Sequence, residues 1–308
     1  MKPILIIPPA PARWPAFEDL LRHEGTPWLL DLKRRLVDGV PGAQDAYAVM
    51  LSGNRILASV AINKFGDVGL LTHGYTREEH RRRGAARKLV ETAVSWFSMT
   101  GGRWLFLGTT AEFDEGFYRK FGFTPLRRAV WKPYDRLTML RTTPGAAESP
   151  QADSAGEIVT RDLSRAEWPA MVALLQYSRG PDPRVPLDES AVSAPMFTLD
   201  LIEHQERGAC QLKGAFCGSR LVGVATIATD QAGERTYAML IPHVDAPQTL
   251  RDAVIDFAKT KGYARVDFPM EALGGRPADV PAAAREESEP PPPKDADTPP
   301  DQTAPADS

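Results

Sequence analysis

The sequence is poor in cysteine, and this excludes several kinds of chemistry. Only Cys210 and Cys217 occur among the 308 residues, and both lie around one predicted strand of the second half. They have neither CxxC spacing nor histidine partners at metal-ligand spacing. We therefore predict two free thiols, no bound metal and no cysteine nucleophile in the first half.

Long apolar runs and an excess of one charge are also missing. The N-terminal run from Ile4 to Ile7 is broken by Pro8 and Pro9, so it is too short for the core of a signal peptide or for a membrane span. Lys and Arg total 37 against 40 Asp and Glu, a formal net charge of −3, which gives no general attraction to nucleic acid or to acidic membranes. We expect a cytoplasmic protein without membrane or nucleic-acid partners, in which any anion site is local.

The composition changes twice along the chain. Residues 142–156 are rich in Pro, Gly, Ser and Ala without apolar periodicity, which is typical of a linker. Residues 275–308 are mainly Pro, Asp, Glu and Ala, with too little apolar surface to offset chain entropy. We therefore predict a first domain over 1–141, a linker over 142–156, a second domain over 157–274 and a disordered tail over 275–308.

The first domain alternates between strand and helix patterns. Alternating or continuous apolar residues predict strands at 4–7, 46–51, 55–62, 68–76, 103–107, 127–131 and 136–140. Helical spacing predicts helices at 14–21, 28–36, 84–99 and 113–121. An antiparallel meander followed by strand, helix, strand and helix predicts an α/β (α+β) fold, with a mixed, mostly antiparallel twisted sheet flanked by helices on both faces.

The stretch HRRRGAARKLVETAVSWF, residues 80–97, joins a basic turn to a predicted helix. A helix N-terminus attracts anions because its first N–H groups are unpaired and its macrodipole is positive there. Small side chains leave these amides open, and the preceding arginines add mobile positive charge, at Gly84, Ala85, Ala86, Arg81, Arg82 and Arg83. The pattern predicts a phosphate or pyrophosphate site. The alternative is a solvated basic turn before an ordinary core helix.

This turn and a later segment carry two motifs of one family. Arg81, Gly84 and Ala86 fill the three defining positions of Arg/Gln-x-x-Gly-x-Gly/Ala, the acyl-CoA signature of the GNAT superfamily of N-acetyltransferases. Residues 118–123, YRKFGF, resemble the Tyr-x-x-x-Gly-Phe element that follows in that family. Residues 1–141 are therefore similar to a GNAT domain. They depart from the family pattern at Ala111 and Asp114, where many members carry Asn and Ala.

The resemblance implies an acetyl-CoA-dependent N-acetyltransferase, with acetyl-CoA as cosubstrate and a primary amine of a small molecule or protein as acceptor. It implies that the strand end holds the pantetheine arm at Tyr75, Thr76 and Arg77. The pyrophosphate would then lie on the amides of residues 81–86. It further implies direct transfer without a covalent enzyme intermediate, in which Tyr118 protonates the departing thiolate.

Direct transfer also requires a base or a water relay, because an alkylammonium must lose a proton before it attacks. His73 is the candidate, since it lies in the strand that leads to the signature and imidazole exchanges protons near neutral pH. Glu112 and Asp114 are weaker candidates. The alternatives are that His73 is a packed strand residue and that Tyr118 is a buried aromatic whose hydroxyl bonds to the backbone.

The second half repeats part of the first without its chemistry. Two segments recur in the same order, a Gly-x-Arg turn before a strand and a helix end before a strand, at 53–55 and 218–220 and at 97–102 and 257–262. Residues 242–250 stand where the anion site should be, but they contain no Arg-x-x-Gly-x-Gly, and Asp245 would repel a pyrophosphate. We predict tandem GNAT-like domains, of which the second is degenerate and lacks the cofactor motif. Ser164 and Glu167 predict a capping box at its first helix.

Two functions of other classes compete with catalysis. One is a non-catalytic acyl-CoA sensor or interaction module, which would keep the cofactor site and close the acceptor groove. The other is nucleic-acid binding through Arg81 to Arg83, which the net negative charge and the lack of interleaved aromatics disfavour. The N-acetyltransferase hypothesis is preferred because it accounts for both motifs.

Overall fold

The computed structural model describes residues 2–131, 134–146, 157–178, 194–229 and 236–242, with the pairs 252–253, 255–256, 259–260 and 266–267. Four predicted features lie wholly or mostly outside these residues: the linker at 147–156, the segment 243–250 at the second anion position, the helix end at 257–262 and the tail 275–308. No helix of the described ranges is both long enough and apolar enough to cross a membrane.

The first half builds a seven-stranded sheet. Its strands are β1 (Ile4–Ile6), β2 (Gln44–Ser52), β3 (Arg55–Phe65), β4 (Val68–Thr76), β5 (Trp104–Thr110), β6 (Thr124–Trp131) and β7 (Tyr134–Thr142). Their order in the sheet is β1-β2-β3-β4-β5-β7-β6. All neighbours pair antiparallel except β4 and β5, which pair parallel. The predicted mixed, mostly antiparallel sheet is thereby confirmed.

Helices cover both faces of this sheet. They are α1 (Trp14–Leu21), α2 (Thr26–Lys33), α3 (Ala85–Met99) and α4 (Ala111–Arg119). Alternate residues of β2 separate the two faces, since Ala48 and Met50 pack with α3 whereas Tyr47 and Val49 pack with α1 and α2. The α3 helix is seated by the buried residues that recur at helical spacing in the sequence, Leu89, Val90, Ala93 and Phe97.

The second half builds a five-stranded sheet of related topology. Its strands are β8 (Ile158–Asp162), β9 (Gln211–Cys217), β10 (Arg220–Thr229), β11 (Thr236–Pro242) and β12 (Val266–Asp267), in the order β12-β11-β10-β9-β8. Only β11 and β12 pair parallel among these described strands, so orientations and order repeat those of β1 to β5. The two Gly-x-Arg turns are equivalent hairpin turns, with φ of 57° at Gly53 and 60° at Gly218.

Two further helices accompany the second sheet, α5 (Trp168–Ser178) and α6 (Ala194–Glu206). The predicted capping box precedes α5, because the Ser164 amide donates to Glu167 at 2.8 Å and the Ala166 amide donates to the Ser164 hydroxyl at 3.2 Å. The α5 helix shares one apolar cluster with both sheets, including Leu70 and Phe106 of the first and Val224 of the second. The described residues of the two halves accordingly belong to one compact unit.

A buried ion network also joins the two halves. Arg35 is fully buried, lies 2.8 Å from Asp31 and 3.2 Å from Asp45, and donates to the carbonyl of Arg165 at 2.9 Å. Arg165 in turn donates to Asp31 at 2.5 Å and pairs bidentately with Glu206 at 2.9 and 2.7 Å. Burial disfavours the charge of Arg35, but the two carboxylates beside it outweigh burial and raise its pKa. The two halves are therefore held together by charges that water does not screen well.

Candidate active site

The strands β4 and β5 part midway along the first sheet. Their parallel pairing runs from Val68 and Trp104 to Leu71 and Leu107, and it ends there. Both strands continue, β4 to Thr76 and β5 to Thr110. Beyond Leu71, the β5-facing edge of β4 therefore presents backbone groups to a gap. Backbone N–H and C=O groups need partners, so this edge can accept an extended ligand.

A β-bulge at His73 and Gly74 accompanies this separation. Ser59 pairs with Tyr75 and Ala61 pairs with Thr72, so two residues of β4 oppose one residue of β3. His73 has a φ of 51°, a left-handed conformation that is uncommon outside glycine, although histidine is among the residues enriched there. A bulge bends its strand and increases the twist. It therefore gives a local reason why β4 leaves β5 at this level.

The imidazole of His73 is buried on the face of the sheet that carries α2. Its Nδ1 lies 2.5 Å from Oε2 of Glu24, which belongs to the turn between α1 and α2. The ring packs edge-on against Trp28, with centroids 5.8 Å apart. A carboxylate at Nδ1 fixes the orientation of an imidazole and leaves Nε2 for proton exchange. Sequence reasoning did not find Glu24, because a contact across 49 residues leaves no local signal.

A cavity of about 460 Å³ adjoins His73. The first half lines it with Glu24, Trp28 and residues of the diverging strands, among them Leu70, Thr72, Phe106 and Thr109. The second half lines it with Val172, Gln176, Pro195 and Met196. Its walls thus come from both halves of the chain.

Tyr118 approaches the bulge from the opposite face of β4. Its hydroxyl oxygen lies 3.6 Å from the position that a Cβ on Gly74 would occupy. The ring packs edge-to-face against Phe117 and Phe123, at centroid distances of 5.1 and 5.9 Å, in the cluster that also contains α3. The hydroxyl therefore lies beside β4 at the level where the gap begins. The structure thus brings the two predicted catalytic residues to one short segment.

The predicted anion site lies at an exposed helix N-terminus. Gly84 is the N-cap of α3 with φ 75° and ψ 10°, and no atom lies within 4 Å of the position of an added Cβ. Arg82 is also left-handed, with φ 58°. Arg82 and Arg83 are exposed together with Gly84, Ala86 is half-buried, and Ala85 is turned into the core. This arrangement leaves room over the first amides of α3, and anion binding there remains a prediction.

The remaining predicted cofactor residues have partners within the protein. Arg77 donates to the carbonyl of Ile56 at 2.9 Å and to Asp19 at 2.5 Å. Arg81 donates to the carbonyl of Thr76 at 3.0 Å, and its guanidinium lies 5.7 Å from the centre of the Tyr75 ring. These contacts order the turn between β4 and α3. The guanidiniums of Arg77 and Arg81 could bind a ligand only alongside these hydrogen bonds or in exchange for them.

The weaker candidates for the base are not placed by the structure. Both residues belong to α4, but the side chains of Glu112 and Asp114 lie outside the described part of the chain. Thr109 lines the cavity, although its turn departs from the family pattern. His73 is therefore the predicted base whose surroundings are known.

Comparison with known proteins identifies a domain at this position. Residues 43–125 match the family model described as an acetyltransferase (GNAT) domain. The match spans β2 to the start of β6, so it includes the bulge, the gap, the N-terminus of α3 and Tyr118. The resemblance predicted from the two motifs is thereby confirmed. No curated protein matches the chain by sequence.

Solved structures of acetyltransferases align with less than half of the chain. An aminoglycoside 6'-N-acetyltransferase complexed with coenzyme A is 14% identical over 48% of this chain and 100% of its own, with a TM-score of 0.40. The aminoglycoside 6'-N-acetyltransferase from Enterococcus faecium is 13% identical over 48% and 100%, at 0.39. Ard1 from Thermoplasma volcanium is 17% identical over 46% and 99%, at 0.37. Likenesses at this level carry no inference about the chemistry of this chain.

Proposed function

With an acetyltransferase (GNAT) domain at residues 43–125 as the premise, we propose that the protein is an acetyl-CoA-dependent N-acetyltransferase that acts on a primary amine. One observation carries the proposal. A single bulge separates β4 from β5 and has the His73 imidazole on one face of β4 and the Tyr118 hydroxyl on the other. A base and an acid thus lie on either side of the place where an extended ligand can enter.

The residues present fit acetyl-CoA in three places. The open N-terminus of α3, around residues 81–86, suits the pyrophosphate. The β5-facing edge of β4, from Thr72 towards Arg77, suits the amides of the pantetheine arm. The approach of Tyr118 to Gly74 would place its hydroxyl near the thioester sulfur. When bound, acetyl-CoA supplies the activated acetyl group that an amine takes directly.

The side chains at the bulge would accept one proton and donate another during this transfer. Nε2 of His73 would take a proton from the amine, and the Glu24 carboxylate at Nδ1 would stabilise the imidazolium that forms. The Tyr118 hydroxyl would give a proton to the departing sulfur. The cavity beside His73 would exclude bulk water around the amine. No residue needs to form a covalent bond with the acetyl group.

We further propose that the second half is a degenerate GNAT-like domain, over 157–274, that has become part of this site. The repeated order and orientation of β8 to β12 support the duplication, as do the equivalent turns at Gly53 and Gly218. Its helices wall the cavity of the first domain. A sensor with a closed acceptor groove fits less well, because the cavity beside His73 is large enough for a small molecule.

Coenzyme A release in the presence of a mixed amine panel tests the proposal, with acetyl-CoA binding measured separately by calorimetry. We expect both binding and amine-dependent release. Binding without release for every amine would favour the sensor, and absence of binding would refute both functions.

A further inference from the structure

We infer that the cavity shared by the two halves is the acceptor site, and that it selects a small primary amine carried on a single apolar body. This inference deepens the proposed function and rests on it. The second half supplies the wall that sets the size and polarity of the acceptor.

The position of the cavity assigns it to the acceptor rather than to acetyl-CoA. Tyr118 belongs to the apolar cluster on the α3 face of the sheet. The cavity touches Glu24, Trp28 and α5 on the opposite face, and it meets the α3-face cluster at Leu71, Leu107 and Leu137. It also contacts β4 and β5 at the level where they part, since Leu71, His73 and Thr109 are among its lining residues. An amine in the cavity would therefore meet an acetyl group in the gap from the far side.

The lining defines the chemical class. Trp28, Leu70, Phe106, Val172 and Met196 make most of the wall apolar. Among the described lining residues, Glu24 is the one carboxylate, and it adjoins His73. One amino group can therefore be bound beside the base, whereas a second ammonium would meet no further carboxylate among the described lining residues. This disfavours polyamines and aminoglycosides and favours alkylamines or arylalkylamines.

The size of the cavity also indicates a small-molecule acceptor. A volume of about 460 Å³ lies within the ~300–1,000 Å³ typical of small-molecule pockets. It is far too small for a folded protein, although a single side chain could enter it.

One face of α5 connects the acceptor wall to the rest of the fold. Trp168, Val172 and Gln176 follow one another at intervals of four residues, so they lie along one side of the helix. Trp168 packs edge-on against Trp28, with ring centroids 5.9 Å apart, and Val172 and Gln176 line the cavity. Gln176 is the described polar side chain that the second half adds to this wall. The Arg165 network holds this helix against α2, so the wall is fixed relative to His73.

The test uses the full chain and four probes: hexylamine, 2-phenylethylamine, spermidine and kanamycin. Coenzyme A release gives kcat/KM for each probe. Amine binding without turnover is measured by tryptophan fluorescence, because Trp28 lies in the cavity wall. We expect the two apolar amines to exceed spermidine and kanamycin by at least about tenfold in kcat/KM, since each 1.4 kcal/mol of discrimination is tenfold.

Val172→Phe should fill the cavity and raise KM for 2-phenylethylamine, with the Kd of acetyl-CoA unchanged. Val159→Phe, at an exposed position of the same half, is the matched control and should behave as wild type. Met196→Ala removes volume from the wall instead and should lower KM for octylamine, a longer probe that is added for this variant. Melting temperatures show whether each variant is folded. If Val172→Phe does not fold, Met196→Ala still tests the inference.

Each outcome bears on one claim. Preferred turnover of spermidine or kanamycin would overturn the acceptor class and leave the acetyltransferase proposal standing. Unchanged KM values in both cavity variants would overturn the location of the site. Binding of 2-phenylethylamine that Val172→Phe weakens, without turnover of any probe, would support the site and refute catalysis. Absence of both binding and turnover of the apolar amines would overturn the inference.

Discussion

Tyr118 and His73 differ in what holds them. Tyr118 is held by aromatic packing against Phe117 and Phe123, which a phenylalanine ring would reproduce. His73 is held by a polar contact to Glu24 and by a left-handed backbone, which few other residues reproduce. Conservative variants therefore have to be chosen differently for the two.

We predict that Tyr118→Phe lowers kcat by about 10²- to 10⁴-fold, the usual contribution of a general acid. The ring and its packing remain, so the Kd of acetyl-CoA and the melting temperature should hardly change. Stopped-flow or steady-state kinetics with calorimetry measure all three. A lower melting temperature with unchanged kcat would instead mean that the tyrosine is structural.

We predict that His73→Asn lowers kcat by about 10²-fold or more, because it removes the proposed base. Asparagine tolerates a left-handed φ and so preserves the bulge. Glu24→Gln keeps the shape beside Nδ1 and removes the charge, so kcat should fall while KM for acetyl-CoA stays constant. Glu18→Gln, on the exposed side of α1, is the control. Equal rates for Glu24→Gln and Glu18→Gln would show that Glu24 does not position the base.

At the scale of elements, the proposed function makes the turn between β4 and α3 the expected determinant of acetyl-CoA affinity. Gly84→Asn and Gly84→Asp have nearly the same shape, and both residues tolerate the left-handed backbone at this position. We predict that Gly84→Asp binds acetyl-CoA about tenfold or more weakly than Gly84→Asn, because its charge would repel the pyrophosphate. Calorimetry at low and high salt measures the difference, which salt should reduce. Equal affinities would place the pyrophosphate elsewhere.

Much of the element order can be predicted from the sequence, because it depends on local periodicity. The helix at 14–21 and the strand at 68–76 have the predicted bounds. The predicted helix at 28–36 is instead α2 followed by a π-helical turn, Arg34–Asp38, which buries Arg35 among carboxylates. An apolar pattern does not anticipate a buried arginine whose partners are distant in sequence.

The geometry of the candidate site is less predictable than its residues. The two motifs point to Gly84 and Tyr118, since each motif is a short run of sequence. The bulge at His73 and Gly74 could not be seen, because a register shift depends on the pairing of β4 with β3. The cavity wall from α5 could not be seen either, because it depends on how the two halves pack.

At the scale of the whole molecule, Arg165 links the second half to α2. We predict that Arg165→Met destabilises the protein by about 3 kcal/mol, the low end of the cost of breaking a buried ion pair. Arg87→Met removes the exposed pair with Glu91 and should cost less than about 1 kcal/mol. Denaturant unfolding of both variants measures the contrast. Similar costs would mean that the network contributes no more than a surface pair.

The same network predicts a pH dependence. Burial alone would raise the pKa of Glu206, but the hydrogen bonds and charges of Arg165 and Arg34 outweigh burial and lower it. A carboxylate with a lowered folded pKa stabilises the fold above its unfolded pKa of about 4.3, and this stabilisation is lost as the pH falls through the folded value. The stability difference between wild type and Arg165→Met should therefore shrink as the pH falls below about 4. A constant difference would exclude Glu206 from the coupling.

The bulge in β4 also changes the face of the sheet on which each later residue of the strand lies. Leu71 packs with α3, whereas Tyr75, four residues later, packs with α1 and α2 on the other face. In a regular strand, residues four apart share a face. Removing one residue at 73–74 would leave Tyr75 three residues after Leu71, so a regular strand would keep Tyr75 on its present face and β4 could continue alongside β5. The site thus depends on the number of residues in the strand as much as on their identity, and a single deletion would close it with the acyl-CoA signature intact.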